Sequence, residues 1–420
     1  MTYLYALLVA FLLSVFGTKI LIRIGYKFGI VSKPRKRDIH QKPVPRIGGL
    51  AIFGAFILTV LAFSPMLSDA FGQKHFVGIL LGGLVITAAM LLDDLRGLKA
   101  WQKLFFQAFA TVIVVASGIG IDHLANPFGD PINLNSIYVP ILTYQGVTYH
   151  FSLLSDFLTL AWMIGMMNII NFVDGVDGLA GGLSSIALYT IFSLSLAVGQ
   201  PATALLSIIL LGSTLGFLKW NFPPAKIFMG DTGSMFLGFM LGVLPLLSGG
   251  KLATVFLVLG FPIVDGLFVA VGRLIRRQNP FTTPDKTHLH HRFLVAGFTP
   301  RQAILSLYFI AAAFGWVALR ASTGEKMVAS VILVILLLGL IWYLRNKAQS
   351  PDSKAKTKPK WKKVINQNMK NLKREHIPLR EIVVLLSQKY RNYHRTMKMV
   401  VNLFVLLAPC QQITLRLMNR

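Results

Sequence analysis

The sequence predicts an all-α protein that crosses a membrane about eleven times. Hydrophobic residues make up 54% of its 420 positions and charged residues only 14%, whereas soluble domains carry about 25% charged residues. The hydrophobic residues are gathered into long runs separated by basic or glycine-rich stretches. Cys410 is the single cysteine, which excludes an internal disulfide framework, an iron–sulfur cluster and a cysteine-based zinc site.

Each predicted span is an apolar run close to the length that crosses a hydrocarbon core, which is roughly 20 residues. Several runs are short, notably 235–248, so each boundary is placed to within a few residues. In chain order the runs are 3–22, 48–66, 76–92, 101–121, 151–168, 183–199, 203–218, 235–248, 251–272, 302–320 and 327–344.

Basic residues predict which way the chain is inserted. If the N-terminus lies outside, the inner loops carry 19 Lys and Arg and the outer loops carry four. The positive-inside rule therefore favours an outer N-terminus and a cytoplasmic C-terminus. The longest outer loop, 122–150, alternates in polarity around Ser136–Thr143, which predicts a small β-hairpin. The predicted inner loops are 23–47, 93–103, 169–182, 219–234 and 273–301.

The chain divides into a membrane core, 1–344, and a basic cytoplasmic tail, 345–420. The tail holds 18 Lys and Arg against three Asp and Glu, and so carries most of the net charge of +26. This distribution indicates a membrane-lipid partner and no nucleic acid. An interfacial amphipathic helix within 378–408 is favoured over a twelfth span. A tail that is not native to the fold is a third alternative.

Acidic residues are scarce before residue 345, and several lie at the predicted inner ends of spans. Asp93 and Asp94 form one such pair. Two adjacent carboxylates repel each other and need a compensating cation, for which Mg²⁺, Arg96, Lys99 and Lys103 are the candidates. A solvated helix end would also explain this pair taken alone.

Two glycine-rich motifs add further oxygen ligands. Asn168, Asn171, Asp174 and Asp177 are spaced by threes, so successive members are neighbours on a helix or tight turn. Carboxylates and amides beside glycines suit Mg²⁺ and phosphate. The run F-M-G-D-T-G-S at 228–234 places Asp231 at the start of a span, together with backbone N–H groups that can bind an anion.

Two basic loops complete the pattern. The run H-L-H-H-R at 288–292 suggests zinc when taken alone, but the H-E-x-x-H spacing and cysteine ligands are lacking. The same side chains can clasp a diphosphate. The first inner loop, which contains Lys42 and Arg46, is basic enough to bind anionic lipid or a nucleotide, although topological charge alone explains most of it.

Together and in this order, these motifs resemble the polyprenyl-phosphate N-acetylhexosaminyl-1-phosphate transferases, glycosyltransferase family 4. The resemblance covers about residues 1–345. The H-x-H-H-R ending resembles the GlcNAc-1-phosphate branch, because the branch with a MurNAc-pentapeptide donor has three consecutive histidines. The resemblance implies a multi-pass cell (inner or plasma) membrane protein with a cytoplasmic active site.

The implied reaction is the transfer of GlcNAc-1-phosphate from UDP-GlcNAc to undecaprenyl phosphate, with release of UMP. It uses Mg²⁺, or Mn²⁺ in its place, and begins synthesis of a cell-wall or surface polysaccharide. The resemblance makes Asn171 and Asp231 metal ligands, and places Asp93 and Asp94 at the lipid phosphate. It assigns Asp174 and Asp177 to the catalytic pocket. The implied contacts with the sugar nucleotide are made by Lys42, Arg46, His288, His290, His291 and Arg292.

Three points stay open at this level. The donor can be another UDP-N-acetylhexosamine or UDP-MurNAc-pentapeptide with the same chemistry. A secondary transporter is a remote alternative, but it predicts acids near the bilayer midplane rather than at the inner ends of spans. A homodimer is compatible with the sequence and is not required by it.

Overall fold

The computed structural model describes residues 1–32, 43–71, 73–124, 126, 129–144, 147–248, 252–275, 277 and 289–349. Within these residues the chain is mostly helical, as the fold class predicted. The helices in chain order are α1 Thr2–Lys27, α2 Gly49–Ala62, α3 Ser64–Phe71, α4 Gln73–Arg96, α5 Ala100–Ala116, α6 Leu153–Val173, α7 Leu179–Ala197, α8 Pro201–Asn221, α9 Gly230–Leu247, α10 Leu252–Val258, α11 Gly260–Ile275, α12 Leu289–Val295, α13 Pro300–Arg320 and α14 Thr323–Gln349.

The predicted apolar runs fall on helices, although 48–66 extends over α2 and α3 and 251–272 over α10 and α11. Not every helix is long enough to be counted as a span. Among the described residues, eight helices have the length and hydropathy of a membrane span. A ninth is added if α10 and α11, which are bent by 77° relative to each other, form one broken span. The apolar helices α2 and α5 are shorter. The protein is therefore a multi-pass membrane protein, and the number eleven and the outer N-terminus stay predictions.

The centre of the bundle is formed by α8 and α9, which are the most deeply buried of the candidate spans. Helix α8 packs on α1 and α7, and α9 packs on α4 and α6. Gly212 and Gly216 bring α8 against α1, because a side chain at either position would meet the backbone carbonyl of Leu7 or Phe11. Small residues at such crossings allow close van der Waals contact between membrane helices. Helices α1 and α14 are mostly exposed, as lipid-facing helices are.

Among the described residues, the strands form three two-stranded antiparallel sheets. The predicted hairpin near Ser136–Thr143 is confirmed: Tyr138 pairs with Ser152 and Tyr144 with Val147. Residues 345–349 of the basic tail form the end of α14, and residues 350–420 lie outside the described residues, so the boundary at 344 and the amphipathic helix stay predictions. The strands are β1 Val31–Ser32, β2 Val44–Pro45, β3 His123–Leu124, β4 Ile132–Asn133, β5 Tyr138–Tyr144 and β6 Val147–Ser152.

One backbone junction connects the first inner loop to the start of α9. Phe228 donates its N–H to the carbonyl of Pro45 at 2.7 Å, and Gly48 donates to the carbonyl of Phe228 at 3.0 Å. Gly49 donates to the carbonyl of Met229 at 2.8 Å. Residues 45–49 are thereby held beside the F-M-G-D-T-G-S motif, which brings Arg46 to the same end of the bundle as Asp231.

Candidate active site

The end of α4 and the beginning of α9 bring three aspartates together. Asp93 and Asp94 lie in the last turn of α4, and Asp231 is the second residue of α9. One carboxylate oxygen from each lies within 4.8 Å of the others. Gly230 makes this approach possible, because it has a φ of +72° and a side chain there would overlap the Asp94 carboxylate. Two motifs that are far apart in the sequence therefore meet at one place.

Asp94 is buried and caps the N-terminus of α9 from another helix. Its Oδ1 accepts a hydrogen bond from the N–H of Asp231 at 3.1 Å, and its Oδ2 accepts one from the N–H of Thr232 at 3.0 Å. The Thr232 hydroxyl also donates to Oδ2, at 2.7 Å. The first N–H groups of a helix have no partner within the helix, so Asp94 satisfies two of them. Arg46 completes its surroundings with an ion pair at 2.8 Å.

Lys103, in the first turn of α5, is the cation that bridges the other two aspartates. Its Nζ lies 2.6 Å from Oδ2 of Asp93 and 2.7 Å from Oδ2 of Asp231. Arg96 and Lys99, the other basic candidates from the sequence, are exposed. Lys103 is the site residue that the motif analysis weighed only as one of several compensating charges. No signal in the sequence singles out Lys103, because its contacts with Asp93 and Asp231 depend on how α4, α5 and α9 pack together.

The second cluster lies at the end of α6 and in the segment that follows it, residues 174–178, which we call the acid loop. The amide nitrogen of Asn171 donates to the Ser234 hydroxyl on α9 at 3.0 Å. Ser234 lies three residues after Asp231, so the two are neighbours on one face of α9. The amide nitrogen of Asn168 instead donates to the side-chain oxygen of Gln107 on α5, at 3.0 Å. Asn171, rather than Asn168, therefore adjoins the aspartates.

The two aspartates of the acid loop have different surroundings. Asp177 accepts a hydrogen bond from the N–H of Ala225 at 2.9 Å and so holds the segment that leads to α9. Burial raises the pKa of Asp174 well above its usual range, and the negative charges of Asp231, Asp94 and Asp177 raise it further. The Arg46 guanidinium opposes this shift only in part. The acid loop and the aspartates of α4 and α9 therefore share one electrostatic environment.

These residues fit a divalent cation. The site combines carboxylates with the side chain of Asn171, whose nitrogen is occupied by Ser234. Such a set of hard oxygen ligands is typical of Mg²⁺ or Mn²⁺. The crowding of negative charge that raises the pKa of Asp174 is what a bound cation relieves. Asp231 is also partly exposed, which leaves its carboxylate accessible to an ion and to substrate.

The histidine motif begins a short helix. Helix α12 contains His290, His291 and Arg292, and its first N–H, that of Leu289, donates to the buried Asp265 at 2.8 Å. The Arg292 guanidinium lies 5.7 Å from the centre of the Phe268 ring. Helix α12 packs on α13. His288 and Lys42 lie outside the described residues, so the predicted contacts of these basic residues with the sugar nucleotide stay predictions.

The segment that contains these motifs is similar in sequence to known proteins. Residues 76–249, which include the aspartate pair, the acid loop and the start of α9, match the model of glycosyl transferase family 4. A probable undecaprenyl-phosphate N-acetylglucosaminyl 1-phosphate transferase of Bacillus subtilis (strain 168) is 36% identical over 339 residues, which cover 79% of this chain and 88% of the relative.

Two other relatives have similar names. A decaprenyl-phosphate N-acetylglucosaminephosphotransferase of Mycolicibacterium smegmatis is 33% identical, over 72% of this chain and 77% of the relative. An undecaprenyl-phosphate alpha-N-acetylglucosaminyl 1-phosphate transferase of Salmonella typhi is 28% identical, over 76% of this chain and 84% of the relative. The chain is therefore a phosphotransferase of glycosyl transferase family 4, and it belongs to the branch of the N-acetylglucosaminyl 1-phosphate transferases.

Proposed function

We propose that this protein transfers GlcNAc-1-phosphate from UDP-GlcNAc to undecaprenyl phosphate and releases UMP. The observation that carries the proposal is the meeting of Asp93, Asp94 and Asp231 beside two cationic side chains, Arg46 and Lys103. Asn171 is bonded to Ser234, about one turn along α9 from Asp231. A reaction between two phosphorylated substrates needs positive charge and oxygen ligands at one point. The names of the relatives support the polyprenyl-phosphate acceptor and the N-acetylglucosaminyl donor.

In this proposal, the side chains of Asp231 and Asn171 hold Mg²⁺, or Mn²⁺ in its place. When bound, the ion supplies positive charge that stabilises the UMP leaving group. The bond changes are simple: a phosphate oxygen of the acceptor attacks the phosphorus attached to the sugar, and the bond from that phosphorus to the bridging oxygen of UMP breaks. The products are undecaprenyl-diphosphate-GlcNAc and UMP.

The protein's own charges have distinct tasks in this reaction. Lys103 and Arg46 are partly exposed, so their cationic groups can contact substrate phosphates as well as the aspartates. Asp93 is fixed by the N–H of Leu98, which donates to its Oδ1 at 2.6 Å. We assign Asp93 to positioning the lipid phosphate or removing its residual proton. A phosphate monoester has a second pKa of about 6, so the acceptor is mostly dianionic at neutral pH and strong base catalysis is not required.

Direct attack by the lipid phosphate is favoured over a covalent intermediate. In the alternative route, an aspartate first takes the phosphosugar and then passes it to the lipid. Incubating the protein with donor labelled in the sugar phosphate, without acceptor, separates the two routes. The direct route predicts no label on the protein, and stable label would overturn it.

We further propose that the site faces the cytoplasm of the cell membrane, where the reaction begins a surface or cell-wall polysaccharide. The charge distribution of the loops supports this orientation. The aspartates lie at the ends of α4 and α9 rather than in mid-helix, which disfavours a transporter site at the bilayer midplane.

Release of UMP by the purified full chain tests the proposed function. We expect release from UDP-GlcNAc only when undecaprenyl phosphate and Mg²⁺ are both present, and we expect loss of release on addition of a chelator. Parallel reactions with UDP-GalNAc and UDP-MurNAc-pentapeptide test the donor. Release that needs no acceptor, or that occurs only with the pentapeptide donor, would overturn the assignment.

A further inference from the structure

Gly178, where the acid loop joins α7, is held from two sides. Its N–H donates to Oδ1 of Asn221 on α8 at 2.8 Å, and its carbonyl accepts a hydrogen bond from the Tyr308 hydroxyl on α13. Gly178 has a φ of +77°, in the left-handed region that favours glycine. The acid loop therefore ends at a residue whose two backbone polar groups are both bound by side chains from other helices.

The same two helices hold the segment that leads to α9. Asn221 is buried, and its amide nitrogen donates to the carbonyl of Ile227 at 2.8 Å. On α13, Arg301 donates from Nε to the carbonyl of Pro223 at 3.1 Å. Arg301 and Tyr308 are seven residues apart, about two helical turns, and so lie on the same side of α13. This side of α13 thus contacts both the acid loop and the segment before Asp231.

The position of the Tyr308 ring depends on a small residue opposite it. A side chain at Gly182, in the first turn of α7, would overlap the end of that ring. Helix α7 therefore has no side chain at the point where the phenol reaches Gly178. None of the sequence motifs includes Tyr308, and it lies outside the 76–249 segment that matches the family model.

We propose that Tyr308 is a positioning residue for the transfer reaction and acts through Gly178 on the carboxylates of Asp174 and Asp177. This inference rests on the proposed function. The Gly178 carbonyl also accepts the N–H of Gly182 at 2.9 Å, so losing the Tyr308 hydroxyl leaves that bond within α7 and removes the link from α13 to the end of the acid loop. Small displacements of groups that bind or orient reacting phosphates cost much of the rate, because the advantage of a prearranged geometry is lost.

Tyr308→Phe tests the proposal, because it deletes one hydroxyl and keeps the ring. Tyr189→Phe on α7 is the matched control, since its ring is exposed. We expect Tyr308→Phe to lower kcat for UMP release about ten-fold, equivalent to about 1.4 kcal/mol, and to speed amide hydrogen exchange in residues 174–182. Tyr189→Phe should change neither quantity.

A double-mutant cycle separates positioning from a general loss of stability. If Tyr308 acts through the acid loop, the effects of Tyr308→Phe and Asp177→Asn on kcat will not add, whereas those of Tyr308→Phe and Asp93→Asn will add. Gly182→Ala offers a second route, because its methyl group displaces the phenol and should reproduce the faster exchange. Additive effects throughout would overturn the proposal.

The two proposals fail in different ways. Absence of UMP release from the unaltered protein would overturn the proposed function, and exchange in 174–182 would still decide whether Tyr308 holds the acid loop. Unchanged kcat and unchanged exchange in an active Tyr308→Phe protein would overturn only the role of Tyr308.

Discussion

The aspartate pair at the end of α4 and the aspartate pair of the acid loop are built in the same way. In each pair one carboxylate accepts backbone N–H groups from the segment that begins α9: Asp94 from residues 231 and 232, and Asp177 from Ala225. The other member of each pair, Asp93 or Asp174, does not make these bonds to the segment.

The two pairs differ in their charge balance. Arg46 and Lys103 form ion pairs with the α4 aspartates, whereas the pKa of Asp174 is raised by burial and by neighbouring negative charge. Identical residues in one motif can therefore have different roles. One carboxylate of each pair holds the start of α9 or the segment before it in place, and the other is left to contact a ligand. Substitutions at these aspartates test this division of roles.

The largest expected effect is that of Asp231→Ala, because α9 is where the two pairs meet. Loss of this carboxylate removes a proposed metal ligand and one of the two aspartate partners of Lys103. We expect turnover to fall about a thousand-fold or more, with normal insertion into membranes. Asp130→Ala, at an exposed position, is the control and should keep full activity. Full activity of Asp231→Ala would exclude the metal-ligand role.

Asp94→Asn and Asp93→Asn should separate stability from activity within the α4 pair. Asp94→Asn places an amide opposite the N–H groups of Asp231 and Thr232 and the Thr232 hydroxyl, which the carboxylate accepts. It also leaves Arg46 without its closest ion-pair partner. We therefore expect the free energy of unfolding to fall by about 2–3 kcal/mol. Asp93→Asn keeps an acceptor for Leu98, and Lys103 keeps Asp231, so it should be nearly as stable as the unaltered protein and about ten- to a hundred-fold slower.

Thermal unfolding in detergent and initial rates of UMP release measure these two effects on the same preparations. The division within the pair would be wrong if Asp93→Asn proved the less stable variant, or if Asp94→Asn lost activity while its unfolding temperature stayed unchanged.

The acid loop should show a smaller contrast of the same kind. Asp177→Asn weakens the bond to Ala225 and should cost about 1 kcal/mol of stability. Asp174→Asn should stabilise the metal-free protein, since it removes a charge that burial disfavours. Because the folded-state pKa of Asp174 is raised, its contribution to stability is present at low pH and is lost as pH rises through that pKa.

Unfolding temperatures of the two variants at acid and neutral pH, each compared with the unaltered protein in chelator, measure this contrast. Asp174→Asn should remove part of the decline in stability with rising pH. A destabilised Asp174→Asn protein would show that this carboxylate is also an anchor, like Asp177.

The smallest effect is expected from removing residues 351–420. This segment contains none of the motifs that meet at the site, so the shortened protein should insert into membranes and keep measurable UMP release. Comparing rates at equal amounts of inserted protein is the measurement. Complete inactivity of a stably inserted truncation would assign the tail a role in catalysis.

Much of the molecule follows from local sequence. The apolar runs fall on helices, because burial of apolar side chains in a membrane and internal satisfaction of backbone groups both favour helices. The β-hairpin at 138–152 follows from alternation over a few residues. The oxygen-rich motifs predicted a site at helix ends, and the structure brings Asp93, Asp94, Asn171 and Asp231 to such ends.

The role of each polar group depends on the tertiary structure and does not follow from the sequence pattern. The sequence could not choose among Arg96, Lys99 and Lys103, nor distinguish Asp94 from Asp93, nor point to Tyr308. The bonds that decide these questions join residues far apart in the chain: Asp94 to Thr232, Lys103 to Asp231, and Tyr308 to Gly178. The local sequence pattern determines where a charged side chain can lie along a helix. The partners of that side chain depend on which helix ends pack together.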